Sequence, residues 1–133
     1  MSQKEIELIL TRQLASYLAM PVIIVDPKGR LIFFNEPAEP LIGRRFNETG
    51  EMPVHEWSVL FKTTDQNGNT LGPDQLPFGI ALHKRRPCHV NFWVESLDNT
   101  RRNIEVTAFP LIGQQDRLLG AVGVFWEVVP DAG

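Results

Sequence analysis

The sequence predicts an α+β domain: five antiparallel strands with short helices on one face and an amphipathic helix in front. Three observations predict it. A β-branched run, Val22-Ile23-Ile24-Val25, is followed by turn residues and a second apolar run, Leu31-Ile32-Phe33-Phe34. The chain then loses its alternation between Asn35 and Arg86, where glycine and proline punctuate short helical spacings. It closes on three strand-like segments, the first two alternating and the third apolar throughout, joined by two turn signals, an antiparallel meander.

Residues 1–19 form a flanking helix ahead of a domain over 20–133. Ile6, Ile9, Leu10, Leu14, Tyr17 and Leu18 recur at three- and four-residue steps. Ser2 and Glu5 have the spacing of a capping box. A helix this short is unstable alone, so its apolar stripe docks on its own domain or on a second copy.

Pro21 lacks a donor and suits the start of a strand. Val22 to Val25 is continuously apolar, as in a strand covered on both faces. Asp26-Pro27-Lys28-Gly29 is turn chemistry. Asn35 is expected to cap a helix that holds Pro37 in its first turn and ends at Gly43. Arg44 to Pro53 reads as loop or a broken helix, and Val54 to Phe61 as one or two turns packed by Trp57. Asp65-Gln66-Asn67-Gly68-Asn69 is a turn. Asp74 is placed to cap a helix to about Lys84, whose cationic end, His83 to Arg86, suits the helix dipole. Pro87 stops it.

In the first closing strand, Val90, Phe92 and Val94 share a face opposite His89, Asn91, Trp93 and Glu95. In the second, Ile104, Val106 and Ala108 oppose Asn103, Glu105, Thr107 and Phe109. The third, Leu118 to Val129, is apolar on both faces. The helices cover one side of it, and the N-terminal helix or a partner's copy covers the other.

The bulk properties narrow the function. A chain of 133 residues with 43% hydrophobic and 22% charged residues supports one domain with a real core. A net charge of -3 and the lack of basic-aromatic interleaving argue against nucleic acid. Apolar runs are too short for a membrane span, and a cytoplasmic location is expected. One cysteine, Cys88, permits neither an internal disulfide nor a cysteine-cluster metal site. No nucleophile elbow, phosphate-binding loop, dinucleotide fingerprint or zinc spacing occurs, so the chain is read as non-catalytic.

A hairpin ending in Asn35, followed by Ala38, Leu41 and Gly43 at this spacing, resembles the start of a PAS domain. Trp57, the D-x-x-G turn Asp65 to Gly68, Leu71, Pro77, Ala81-Leu82 and Pro87 resemble PAS domains of bacterial signalling proteins. Ala108-Phe109-Pro110-Leu111 and Gly120-Ala121-Val122 resemble the family's closing hairpin. One departure is Glu127-Val128-Val129-Pro130, where PAS domains that feed an effector often end in Asp-Ile-Thr.

The resemblance implies a sensory or regulatory domain with a ligand space between the helices and the inner sheet face. Its expected lining is Ile24, Phe34, Leu41, Phe61, Phe78, Leu82, Phe92, Val106, Val122 and Val124. Eight phenylalanines and three tryptophans can also fill such a space completely. An open space would favour an apolar ligand such as a fatty acid or an aromatic metabolite. Haem-binding relatives use a histidine of the central helix, which points to His83, with His89 second; the competing reading makes both polar surface residues. A flavin photoreceptor needs an Asn-Cys-Arg motif; Gly43-Arg44-Arg45-Phe46 lacks it, and Cys88 lies elsewhere, so flavin is set aside. A homodimer is expected through Ile6, Ile9, Leu10, Leu14, Tyr17, Leu119 and Phe125, with an effector domain or signalling protein as a further partner. The rival is a stand-alone small-molecule carrier or enzyme on a cone-shaped α+β barrel.

Overall fold

The β-branched run forms strand β1 (Val22–Val25), and the chain turns back as β2 (Leu31–Phe34). Between them Asp26 Oδ1 accepts from the backbone N–H groups of Lys28 and Arg30, both at 2.9 Å, so the side chain closes the turn. The computed structural model describes residues 3–53, 56–57, 62–72, 75–95 and 100–128, with side chains from Glu7 onward. Ahead of β1 lies α1 (Gln3–Tyr17). After β2 come a 3-10 turn (Glu36–Ala38), α2 (Glu39–Ile42), α3 (Phe46–Thr49), β3 (Lys62–Thr64), α4 (Pro77–Lys84), β4 (Cys88–Glu95), β5 (Arg101–Ile112) and β6 (Leu118–Glu127).

Six strands form one antiparallel sheet in the order β2-β1-β6-β5-β4-β3, one more than the five expected. The additional strand is β3, whose residues Lys62-Thr63-Thr64 carry no apolar alternation to announce it. It exists through pairing: Thr63 lies opposite Val94 and Thr64 opposite Trp93 on β4. The turn after it was legible, and Thr64 bridges Thr70 across it.

The central α-helix is shorter than its sequence signal. Asp74 lies outside the described residues, and α4 opens with Leu76 at its N-cap and Pro77 in its first turn. Asn35 departs from its expected role as well. It stands at the N-cap of the 3-10 turn, but its side chain caps nothing there. Instead Oδ1 accepts from Val22 N at 2.9 Å, and Nδ2 donates to Ala15 O at 2.9 Å and Met20 O at 2.8 Å. A residue 1% exposed thereby holds α1, β1 and β2 together.

Apolar clusters form on both faces of the sheet. On the inner face Leu31, Phe34, Phe92, Ile104, Val106 and Phe125 pack with Ala38 and Ile42 of the short helices. On the outer face Ala15 of α1 packs on Val22, Ile24 and Val122. A register shift between Ile24 and Val25 puts Ile23 opposite Phe34, and Val25 opposite Leu31, so both pairs point inward.

Candidate functional site: the core cavity and the outer sheet face

The inner face and the helical layer enclose a cavity of about 80 Å³, lined by Ile23, Leu41, Ile42, Trp57, Thr63, Leu76, Pro77, Phe78, Phe92, Val94, Ile104, Val106 and Phe125. Trp57 is fixed in its wall: its indole N–H donates to Gly29 O at 2.9 Å, and its ring meets Phe78 edge-on at 6.0 Å. Among the described residues Thr63 is the one lining residue with a polar side chain apart from the Trp57 indole. Among the described residues this wall carries no group for acid-base or nucleophilic chemistry, and it suits binding by shape and dispersion.

Of the ten lining residues expected from the sequence, Leu41, Phe78, Phe92 and Val106 line this cavity. Phe34 and Leu82 lie in the same layer without lining it. Phe61 lies outside the described residues. Ile24, Val122 and Val124 are on the opposite face: β1 pairs Ile24 with Val122 and Val22 with Val124, beneath α1. The inward positions of β6 belong to Ala121, Gly123 and Phe125, because α4 approaches too closely for larger side chains at the first two. A Cβ on Gly123 would meet the Phe78 ring, with Cε1 at 2.8 Å. The signal available in the sequence was the small-residue alternation Ala121-x-Gly123, which marks close approach of a neighbouring element.

The same inversion moves Phe125 to the inner face, whereas Leu119 is on the α1 side. Phe125, expected on the outer face, is buried in the inner core, and Leu119 is buried in a groove shared with Glu7 and Leu10 of its own α1. The side chain of Ile6 is outside the described residues. Ile9, Leu10, Leu14 and Tyr17 are exposed, the last three at 58%, 63% and 87%.

These exposures give α1 an orientation. Ala15 faces the sheet, and Arg12 lies over the Phe33 ring at 4.9 Å on the β2 side. Leu10, Leu14 and Tyr17, at steps of four and three, share the side of the helix turned away from Ala15 and open to solvent. Leu10 borders Leu111 and Ile112. The outer face continues away from α1 in rows set by the strand register. One row is Val22, Val124, Thr107 and His89, and the next holds Trp126, Glu105 and Asn91. Trp126 Nε1 donates to Glu105 Oε2 at 3.0 Å, His89 Nδ1 lies 2.8 Å from Thr107 Oγ1, and Asn91 Nδ2 donates to Asn103 Oδ1 at 2.9 Å. Further out Arg101 stacks on Trp93 at 4.4 Å.

Neither candidate haem ligand lines the cavity. His83 is exposed in the last turn of α4, and His89 stands on the outer face. Cys88 begins β4 opposite Ala108 and does not line the cavity. Among the described residues no group of three or more His, Cys, Asp or Glu side chains is placed to hold a metal ion. No helix among them is long and apolar enough to cross a membrane.

No family model matches the chain, and no curated protein is similar to it in sequence. Solved structures are similar in fold. A PAS domain from Colwellia psychrerythraea superposes with a TM-score of 0.64 at 17% identity, over 92% of this chain and 97% of that one. The PAS domain of Bordetella pertussis BvgS gives 0.62 at 17% identity, over 95% and 88%. The Rhodobacter sphaeroides LOV protein gives 0.72 at 17% identity, over 98% and 71%. The curled antiparallel sheet, with short helices on one face and α1 on the other, is the PAS fold.

Proposed function

We propose that this chain is a non-catalytic sensory and regulatory PAS domain that works as a homodimer through α1 and the outer sheet face. The observation that carries the reading is the second flank of α1. One flank of the helix is used within the chain, through Ala15. The other presents Leu10, Leu14 and Tyr17 to solvent, with Leu10 beside Leu111 and Ile112. Three large apolar side chains in register on one exposed helix flank suit a partner surface better than water. A second copy matches it, because an isologous contact sets the same apolar stripe against itself.

The cavity supports a signal carried by core packing or by a very small apolar ligand. At about 80 Å³ it is well below the roughly 300 Å³ at which pockets for larger organic ligands begin. That size favours a nearly filled core over a fatty acid, and it supports setting flavin and haem aside. A ligand or packing change would move β6, which contributes Phe125 to the cavity and Val122 to the seat of α1. It acts on α1 only if the two arrangements differ in ligand affinity.

Sedimentation equilibrium from low to high micromolar concentration tests the dimer, and native mass spectrometry of the same sample tests for a co-purified ligand. A concentration-dependent dimer with no bound organic molecule is expected. A strict monomer at high micromolar concentration overturns the dimer, and a co-purified fatty acid or haem overturns the small-cavity reading in favour of a carrier.

A further inference from the structure

On the outer face, beside Val124, side chains of β6 and β4 meet at a carboxylate on β5 between them. Glu105 on β5 accepts the indole N–H of Trp126 on β6 through Oε2 at 3.0 Å, and its Oε1 lies 3.8 Å from Nε2 of His89 on β4. The imidazole is tilted against the Trp126 indole, with ring centroids 5.8 Å apart. Its other nitrogen is held by Thr107 Oγ1 at 2.8 Å, which fixes the ring with Nε2 toward the acid. Of the elements packed against His89, β5 presents Glu105 and, four residues away, Arg101. On β4 Glu95 lies opposite Arg101 and, on its other side, Lys62 of β3. The β6 neighbours on this face are the uncharged Val124 and Trp126.

We propose that this cluster makes self-association proton-linked, with mild acid strengthening the dimer; the inference rests on the outer face being the dimer contact. In the free chain water solvates the Glu105 carboxylate. When a second copy covers the face, that water is lost and one indole N–H remains, which is poor compensation for a full charge. A protonated His89 supplies the opposite charge within 4 Å, and a neutral one does not. The dimer therefore binds more protons than two separate chains, one site on each. By linkage its stability is present at low pH and falls as the pH rises through the range in which histidine loses its charge.

Sedimentation equilibrium of the full chain at pH 6 and pH 8, at fixed ionic strength, tests this. The dimer Kd of the unaltered chain is expected to be about tenfold lower at pH 6. His89→Gln should make Kd the same at both values. Glu105→Gln should reverse the sign, because a protonated His89 would then be covered without its carboxylate. Both side chains are part-exposed, and circular dichroism with thermal melts verifies folding. A dimer with the same Kd at pH 6 and 8, or a pH dependence that survives His89→Gln, overturns the proton linkage and leaves the dimer standing. A monomer at both pH values overturns the dimer reading, and this inference with it.

Discussion

The amide nitrogen of Asn35 donates to the carbonyl oxygen of Ala15 at 2.9 Å, across 20 residues of chain and out of contact with water. This bond is the second at that carbonyl near the end of α1, which also accepts from Leu18 N at 3.2 Å. The same side chain serves Met20 O and Val22 N, so one residue satisfies three backbone groups where the helix passes into the sheet. Asn35→Ala would take the side-chain partner from Val22 N and Met20 O and leave Ala15 O with Leu18 N alone, at about 1–3 kcal/mol for each group left unpaired where water cannot reach. A loss near 3 kcal/mol in urea unfolding is expected, with faster amide exchange at Val22. Asn35→Asp should be no milder at neutral pH, since it turns a donor toward two carbonyl oxygens into an acceptor. Full stability in Asn35→Ala would show that α1 is held by its apolar contacts alone.

The role of Asn35 shows what was legible in the sequence. Its position at the end of a hairpin and before a proline-containing turn was plain, and the turn is there. Its partners were not, because Ala15 and Met20 become neighbours only once α1 folds back over the sheet. The faces of β6 follow the same logic. Leu118 to Glu127 is apolar at nearly every position, so alternation has no sign, and choosing Val122 and Val124 as inward residues had no support from polarity. Small residues carry the information instead. Ala121 and Gly123 face α4 because nothing larger fits under Ala81 and Phe78. By contrast β4 and β5 alternate polar with apolar, and there Phe92, Ile104 and Val106 were assigned to the correct side.

Two glycines of β6 should respond differently to the same methyl group. A Cβ on Gly120 would lie against the backbone of Val25, 3.2 Å from its carbonyl carbon, and its φ of +147° already excludes most side chains. Backbone held in a sheet does not yield, so Gly120→Ala is expected to cost about 3 kcal/mol. At Gly123 the obstacle is the end of the Phe78 side chain, which borders the cavity and has space to turn into. Gly123→Ala should cost only about 1–2 kcal/mol and reduce the free volume. Thermal melts read the first difference, and xenon-129 NMR of the two variants against the unaltered chain reads the second. Undiminished xenon uptake in Gly123→Ala would mean that Phe78 does not move into the cavity.

The turn after β3 carries a pH dependence of known sign. Asp65 Oδ1 accepts from Asn67 N at 2.8 Å and Asn69 N at 2.9 Å. The Asn69 backbone bond is the larger influence, and together these bonds hold the carboxyl below its ordinary value of 3.8. A lowered value means that the ionised form supports the folded turn. Its contribution is complete above the unfolded value and disappears as the pH falls through the lower, folded one. Carboxyl carbon chemical shifts should place the Asp65 midpoint below those of exposed aspartates in the same sample. Asp65→Asn should keep the turn while removing its acid sensitivity, read from amide exchange at Asn69.

Leu14 and Phe125 separate the surface of this domain from its core. Phe125 is buried among Phe92, Ile104 and Val106, and truncation leaves a hole beside an existing cavity, so Phe125→Ala should cost about 3–5 kcal/mol in urea unfolding. Leu14 is 63% exposed, and Leu14→Glu should leave the stability of the single chain within about 0.5 kcal/mol. Its effect belongs to the dimer, where it puts a carboxylate into the stripe of Leu10 and Tyr17 on both copies at once. Two such charges, desolvated together, should raise the dimer Kd about a hundredfold or more. Ser16→Glu, an equal change of charge on the flank of α1 that faces Phe33, should leave Kd nearly unchanged. Sedimentation of Leu14→Glu and Ser16→Glu beside the unaltered chain at one pH decides the matter. Equal weakening by Leu14→Glu and Ser16→Glu would reduce the effect to net charge, and no weakening by Leu14→Glu would remove this flank of α1 from the contact.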